Sequence, residues 1–213
     1  MKKLWIGMGL AAVLALPAVA QAQETKVVVR PMIGGVVGSG PGASFGGAIS
    51  VKATAKLQIL GEFGRLTNIM PKSVLDQVEI KAAAVANAKG GKHSSTASAA
   101  ANYGMVGFRQ ALRDMSDANT FIEFGVGMAN VKSKVDAVIR GSATLQGDIS
   151  NLVTTPFTAA TPETKPMVSV GGGLILGISK TTAVEVGARY QRIFTSDRAI
   201  NMGNIFGGFR IGF

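Results

Sequence analysis

From residue 26 onward, apolar side chains return at every second position in segments of about ten residues, and that regularity constrains the fold more than any other feature. Side chains on a strand point alternately to its two faces, so a period of two makes one face apolar and the other small or polar. Residues 184–191 set Val184, Val186, Ala188 and Tyr190 against Glu185, Gly187, Arg189 and Gln191. The closing run puts Ile205, Phe209, Ile211 and Phe213 on one face with Gly203 and Gly207, and Asn204, Gly208, Arg210 and Gly212 on the other; Phe206 is the exception, on the polar face. Ile122, Phe124, Val126 and Met128 oppose Glu123, Gly125 and Gly127, and Val168, Val170, Leu174 and Leu176 oppose Ser169, Gly171 and Gly173. Leu57, Ile59 and Phe63 oppose Lys56, Gln58 and Glu62, with Leu60 out of phase. The phase of 103–111 is the least clear.

The composition is apolar, with 47% hydrophobic residues and a mean hydropathy of +0.31. Even so, no run beyond the N-terminus is long enough for a membrane helix. A tilted membrane strand needs only about nine to eleven residues. Eight strands are predicted, over 26–37, 44–53, 56–67, 101–111, 120–131, 167–178, 183–194 and 202–213. Their connections alternate short (54–55, 112–119, 179–182) and longer (38–43, 68–100, 132–166, 195–201). That asymmetry, and an even strand number that returns the chain to its starting side, predict an all-β fold: an eight-stranded antiparallel transmembrane up-and-down β-barrel with short periplasmic turns and long outer loops. A soluble sandwich shares the period but hides its apolar face.

Lys2 and Lys3 precede an uncharged apolar stretch from Leu4 to Val19, and Ala20-Gln21-Ala22 follows as a small-x-small site. Residues 1–22 read as a secretory signal peptide and 23–213 as the barrel. The absence of cysteine excludes a disulfide framework, thiolate catalysis and Cys-ligated zinc. The net charge is +10, or +8 once Lys2 and Lys3 leave with the leader. In an exported protein this charge points to anionic lipid or lipopolysaccharide phosphate and not to nucleic acid.

The closing run from Ile205 to Phe213, with its final phenylalanine, looks like the signal that outer-membrane proteins present to the barrel-assembly machinery. Together with Tyr190-Gln-Arg-Ile-Phe194 and Tyr103-Gly-Met-Val-Gly-Phe-Arg109, it resembles the outer-membrane protein β-barrel domain family, relatives of the small OmpA- and OmpX-like barrels. The resemblance covers the mature chain. It implies residence in the outer membrane of a Gram-negative bacterium as a monomer, lipopolysaccharide as neighbour, and the assembly machinery and periplasmic chaperones as biogenesis partners. Phe209, Ile211 and Phe213 would carry the assembly signal. OmpA proper also has a peptidoglycan-binding domain; this chain stops at Phe213, so no cell-wall tether is implied.

The barrel phase assigns Arg30, Lys56, Glu62, Glu123, Glu185, Arg189 and Arg210 to the lumen, where opposite charges must pair. An eight-stranded interior is just filled by side chains, so an ion network is expected there and a narrow channel is the alternative. Arg65 and Arg192 fall on the lipid phase at the outer strand ends, suited to lipopolysaccharide phosphate. In the 68–100 loop, Ser73 to Asp76 fits a capping box before a helix over 73–89 ending at Gly90-Gly91, and Ser94 to Ala101 extends the next strand beyond the membrane. The 132–166 loop, with Pro156, Pro162 and Pro166, reads as irregular or a loose hairpin. A lipid A-modifying enzyme would use a histidine and a serine two apart, and His93-Ser94-Ser95 has that spacing. His93 is the only histidine, however, and nothing in the sequence sets a carboxylate beside it. No catalytic, metal or cofactor site is predicted.

Overall fold

A computed structural model describes residues 27–38, 41–114, 118–140, 147–159, 162–179, 181–196 and 199–213; the predicted leader lies outside them. Nine strands form: β1 (Val27–Val37), β2 (Gly42–Lys52), β3 (Leu57–Leu66), β4 (Lys92–Asp114), β5 (Ala118–Arg140), β6 (Gly147–Asp148), β7 (Glu163–Gly177), β8 (Thr182–Phe194) and β9 (Ala199–Gly212). Each pairs antiparallel with its sequence neighbour except that β5 passes β6 to pair with β7, and β9 returns to β1. Eight strands therefore close a ring, which removes every sheet edge within it. The β1–β9 seam is broken where the ladder skips Arg30 and Pro31 between Val29↔Ile211 and Met32↔Gly208, at a residue with no backbone N–H to give.

The alternation settles which residues fill the ring. Ile33, Phe45, Phe63, Val106, Phe124, Val170, Val186, Ile205 and Phe209 stand exposed on the outside. Inside, Val36, Leu66, Ala129, Met167, Ile193 and Met202 are buried toward the end that carries the long connections. A second apolar group, Met32, Ala48, Phe121, Ile175 and Phe206, lies farther down the lumen. The two residues out of phase in the sequence, Leu60 and Phe206, are both buried inward. An eight-stranded ring is narrow enough that large apolar side chains among small ones close it.

At the other end the turns are short. Ala53 and Thr54 donate to the Leu57 carbonyl, and Thr54 Oγ1 accepts from the Leu57 N–H at 3.0 Å. Strand β3 starts at Leu57, so Lys56 sits exposed in this turn and not in the lumen as predicted.

Strands β4 and β5 outrun their neighbours. Below residue 101 β4 has β5 as its one strand partner among the described residues, and the pairing continues from Ala100↔Lys132 to Lys92↔Arg140. The predicted loop at 132–140 is thus strand, held by a ladder that its composition hides. Helix α1 (Lys72–Ala88) lies on this projecting hairpin. It begins after Pro71, whose fixed φ suits a helix start, so the predicted cap residue Ser73 lies inside the first turn and not at the N-cap. It ends in a Schellman motif: Gly91 N–H reaches Ala86 O at 2.9 Å, Gly90 N–H reaches Asn87 O at 3.2 Å, and Gly90 takes φ +68°. Val74, Val78, Ala82 and Ala86, spaced by four, are buried against Ala97, Ala99, Ala137 and Ile139. Ile149 and Val153, next to β6, close the far side of this cap.

Candidate functional site

The most concentrated chemistry lies in the lumen. Arg30 points inward from β1, Glu62 from β3, Arg109 from β4, Glu123 from β5, and Glu185 and Arg189 from β8; each is at most 5% exposed. Arg109 grips Glu185 as a fork, Nη1 to Oε2 at 2.6 Å and Nη2 to Oε1 at 2.8 Å, and reaches Glu123 Oε2 at 2.6 Å. Arg30 Nη1 donates to Glu185 Oε1 at 2.7 Å and approaches Glu123 Oε2 at 3.5 Å, while its Nη2 lies 3.7 Å from Glu62 Oε2. Arg189 Nη1 donates to Glu62 Oε1 at 2.5 Å, and the Tyr103 hydroxyl donates to the same oxygen at 2.7 Å. Three cations meet three anions, so the cluster is formally neutral, and it is almost without accessible surface. Planar guanidinium forks are the side chains suited to such sites.

Two aromatic rings complete it. The Arg109 guanidinium lies 3.8 Å from the Phe121 ring centroid and that of Arg189 4.8 Å from Phe206. Phe206, the phenylalanine on the polar face in the sequence, is therefore a buried floor for the network. Glycines make room: a Cβ at Gly187 would come 2.7 Å from the Phe206 ring, and one at Gly64 2.7 Å from the Tyr103 hydroxyl.

Of the predicted lumen residues, Arg30, Glu62, Glu123, Glu185 and Arg189 meet. Lys56 does not, and Arg210 stands apart, half-buried, with its guanidinium 3.5 Å from Gln58 Oε1 and no ion pair among the described residues. Arg109 and Tyr103 were missed. Their signal was Val106 and Phe108 on one phase with Tyr103, Met105 and Arg109 on the other, obscured by Gly104 and Gly107.

Arg65 and Arg192 are exposed on the outer face near the cap end. Arg65 reaches Asn102 Oδ1 at 3.4 Å, and Arg192 lies 5.1 Å from the Phe194 ring centroid. Phe209, Ile211 and Phe213 also face outward. The His93 reading needs correction, because a carboxylate does stand beside it: Glu79 of α1 meets His93 Nε2 at 2.7 Å with one oxygen and accepts from the Ser95 hydroxyl with the other. Nucleophilic catalysis needs the imidazole between serine and acid. Here the acid is central, and those two bonds hold its carboxyl below the usual carboxylate range, the serine bond contributing most. No cluster of three metal-ligating side chains occurs among the described residues.

Comparison with solved structures then bears on the ring. The crystal structure of Neisserial surface protein A aligns with a TM-score of 0.50 at 12% identity, covering 89% of this chain and 97% of the other. The N-terminal β-barrel domain of Pseudomonas aeruginosa OprF aligns with a TM-score of 0.51 at 10% identity, covering 89% and 100%. The chain has their eight-stranded barrel fold. No family model and no curated protein matches the sequence. At such identities the likeness concerns the barrel alone, and the ion network and the cap are argued from this chain's own residues.

Proposed function

We propose that this chain is a non-catalytic barrel of the Gram-negative outer membrane with a structural or surface-interaction role, its cap outside the cell. The observation that carries this reading is the inversion of an ordinary protein: a continuous apolar belt outside, and a neutral, desolvated ion network inside. Only lipid gives an exposed belt of Ile33, Phe63, Ile205 and Phe209 a matching solvent. The filled lumen supports a brace across β1, β3, β4, β5 and β8 and disfavours the channel reading. Arg65 and Arg192, at the outer rim of the belt, engage lipopolysaccharide phosphates, where a charge costs little. Residues 1–22 direct export, and Phe209, Ile211 and Phe213 are read by the assembly machinery.

Fractionation with surface proteolysis tests this. The protein is expected in the outer-membrane fraction, cut on intact cells only within 67–91 or 141–162. Cleavage confined to 53–56 or 178–181 would invert the orientation, and recovery in the soluble periplasm would overturn the reading.

A further inference from the structure

The outward face of the projecting hairpin differs from the belt beneath it. One cross-strand level ends the belt: Arg65, Asn102, Asn130 and Thr164 are register partners, Asn130 half-buried and the other three exposed, with Arg65 bonded to Asn102 and Asn130 Nδ2 to Thr164 Oγ1 at 3.1 Å. Directly below lie Phe63 and Met128, and above this line the polarity of the two strands reverses. Ala97, Ala99, Ala137 and Ile139 turn inward under α1, while Ser94, Thr96, Ser98, Lys132, Lys134 and Arg140 face out. At about 3.4 Å per residue, Lys132 stands ~7 Å and Lys134 ~14 Å above the line, and the tip pair Lys92↔Arg140 ~34 Å above it.

We infer that this face, with Asp136 and Val138 on it beside the cations, is a ledge for the phosphorylated core saccharide of a neighbouring lipopolysaccharide. The inference rests on the outer-membrane reading above. Three features select that occupant. The face looks sideways along the membrane, so it meets what stands beside the barrel and not what arrives from above. Its cations begin at the belt's rim and climb in steps, where phosphate groups on a membrane-anchored saccharide rise. Lys132 makes no ion pair among the described residues, whereas Lys134 bonds Asp136 at 2.8 Å with both side chains well exposed, a pair that yields readily to phosphate. The small hydroxyls of Ser94, Thr96 and Ser98 between the cations suit sugar hydroxyls and leave space for a ring.

The test uses full-length protein in lipid nanodiscs and three probes: lipopolysaccharide with a phosphorylated core, the same molecule with its core phosphates removed, and lipid A alone. The K132Q/K134Q variant is expected to lose about thirtyfold in affinity for the first probe and to bind the other two unchanged, since each cation near an anionic surface contributes about fivefold. Equal binding of the phosphorylated-core probe by this variant and the unaltered protein overturns the ledge. So does an equal loss on lipid A alone, which would place these lysines at the lipid headgroup. The R65Q/R192Q variant separates the two readings: its loss of lipid A affinity belongs to the rim contact proposed above and leaves the ledge unaffected. A soluble sulfated polysaccharide that displaces the core-bearing probe from the lysines at equal affinity also overturns it, because the face would then read charge density alone.

Discussion

Glu185 is fully buried and accepts from two different arginines, and it shows how single side chains hold this barrel. Neutralising it leaves three arginines facing two carboxylates, with Arg30 and Arg109 both turned to Glu123, in a site almost without accessible surface. Removing one partner of a dry ion pair costs about 3–5 kcal/mol. Glu185→Ala and Glu123→Ala are therefore expected to lower the unfolding free energy in lipid by about that amount, against less than about 0.5 kcal/mol for the exposed Glu163→Ala. Denaturant midpoints of the three variants decide it, and equal midpoints would mean that the network faces open water. Gly187 carries a second expectation. Leu at this position must displace the Phe206 ring from beneath Arg189 and meets the Gly172 carbonyl at 2.8 Å, so Gly187→Leu should fold in low yield while Gly35→Leu, where a Cβ has open space, folds normally. Gel mobility of the unheated and heated protein measures both yields.

At the scale of elements, α1 is joined to the hairpin by an apolar face and one polar tether. Val78→Asp puts an unpaired charge where a fully buried valine contributed about 1.5–3 kcal/mol. It is expected to release the helix to added protease while the barrel stays resistant, and a cut that also reached the belt strands would mean that cap and barrel fold as one. The tether responds to acid. Glu79 titrates lower in the folded state than in the unfolded chain, so its contribution is complete above the ordinary carboxylate range and is lost as pH falls through the lowered value. Amide exchange in β4 near His93 and Ser95 should rise over that interval, and Glu79→Gln should abolish the change.

The same scale explains what the sequence made legible. Strand phase through the belt could be read because lipid demands apolar side chains outside and a narrow lumen demands small or paired ones inside. Reading one fixed phase failed at 132–140, where Val131, Val135, Ala137 and Ile139 still alternate with Lys132, Lys134 and Asp136 but with the apolar face turned inward. Met128 is exposed and Val131 is buried, so the reversal marks where β5 leaves lipid and comes under α1. Five of the seven lumen assignments meet because charge on the small-residue face has nowhere else to go. Lys56 was lost to a one-residue boundary, and Arg109 to glycines that blurred the phase.

For the molecule as a whole, the sealed interior sets the expectation for transport. Protein reconstituted in planar bilayers should show no porin-sized conductance, since side chains of the network and of the apolar group above it are almost without accessible surface. Steady open-channel currents in the unaltered protein would restore the channel alternative. A deletion strain compared for envelope permeability and for surface binding separates a structural from an interaction role, which a fold alone does not decide.

The interrupted seam at Pro31 also has a kinetic meaning. Every other pairing in the ring joins strands that follow one another along the chain, with only β6 between β5 and β7, whereas Val28↔Gly212 must bring together the first and last strands. Long-range closure is slow because the intervening chain must be ordered first. The β1–β9 junction is thus the last to zip, and a gap at Arg30 and Pro31 leaves it the fewest rungs to hold while it does. Until then an almost complete barrel carries two open edges, whose unpaired backbone groups can template pairing with another chain.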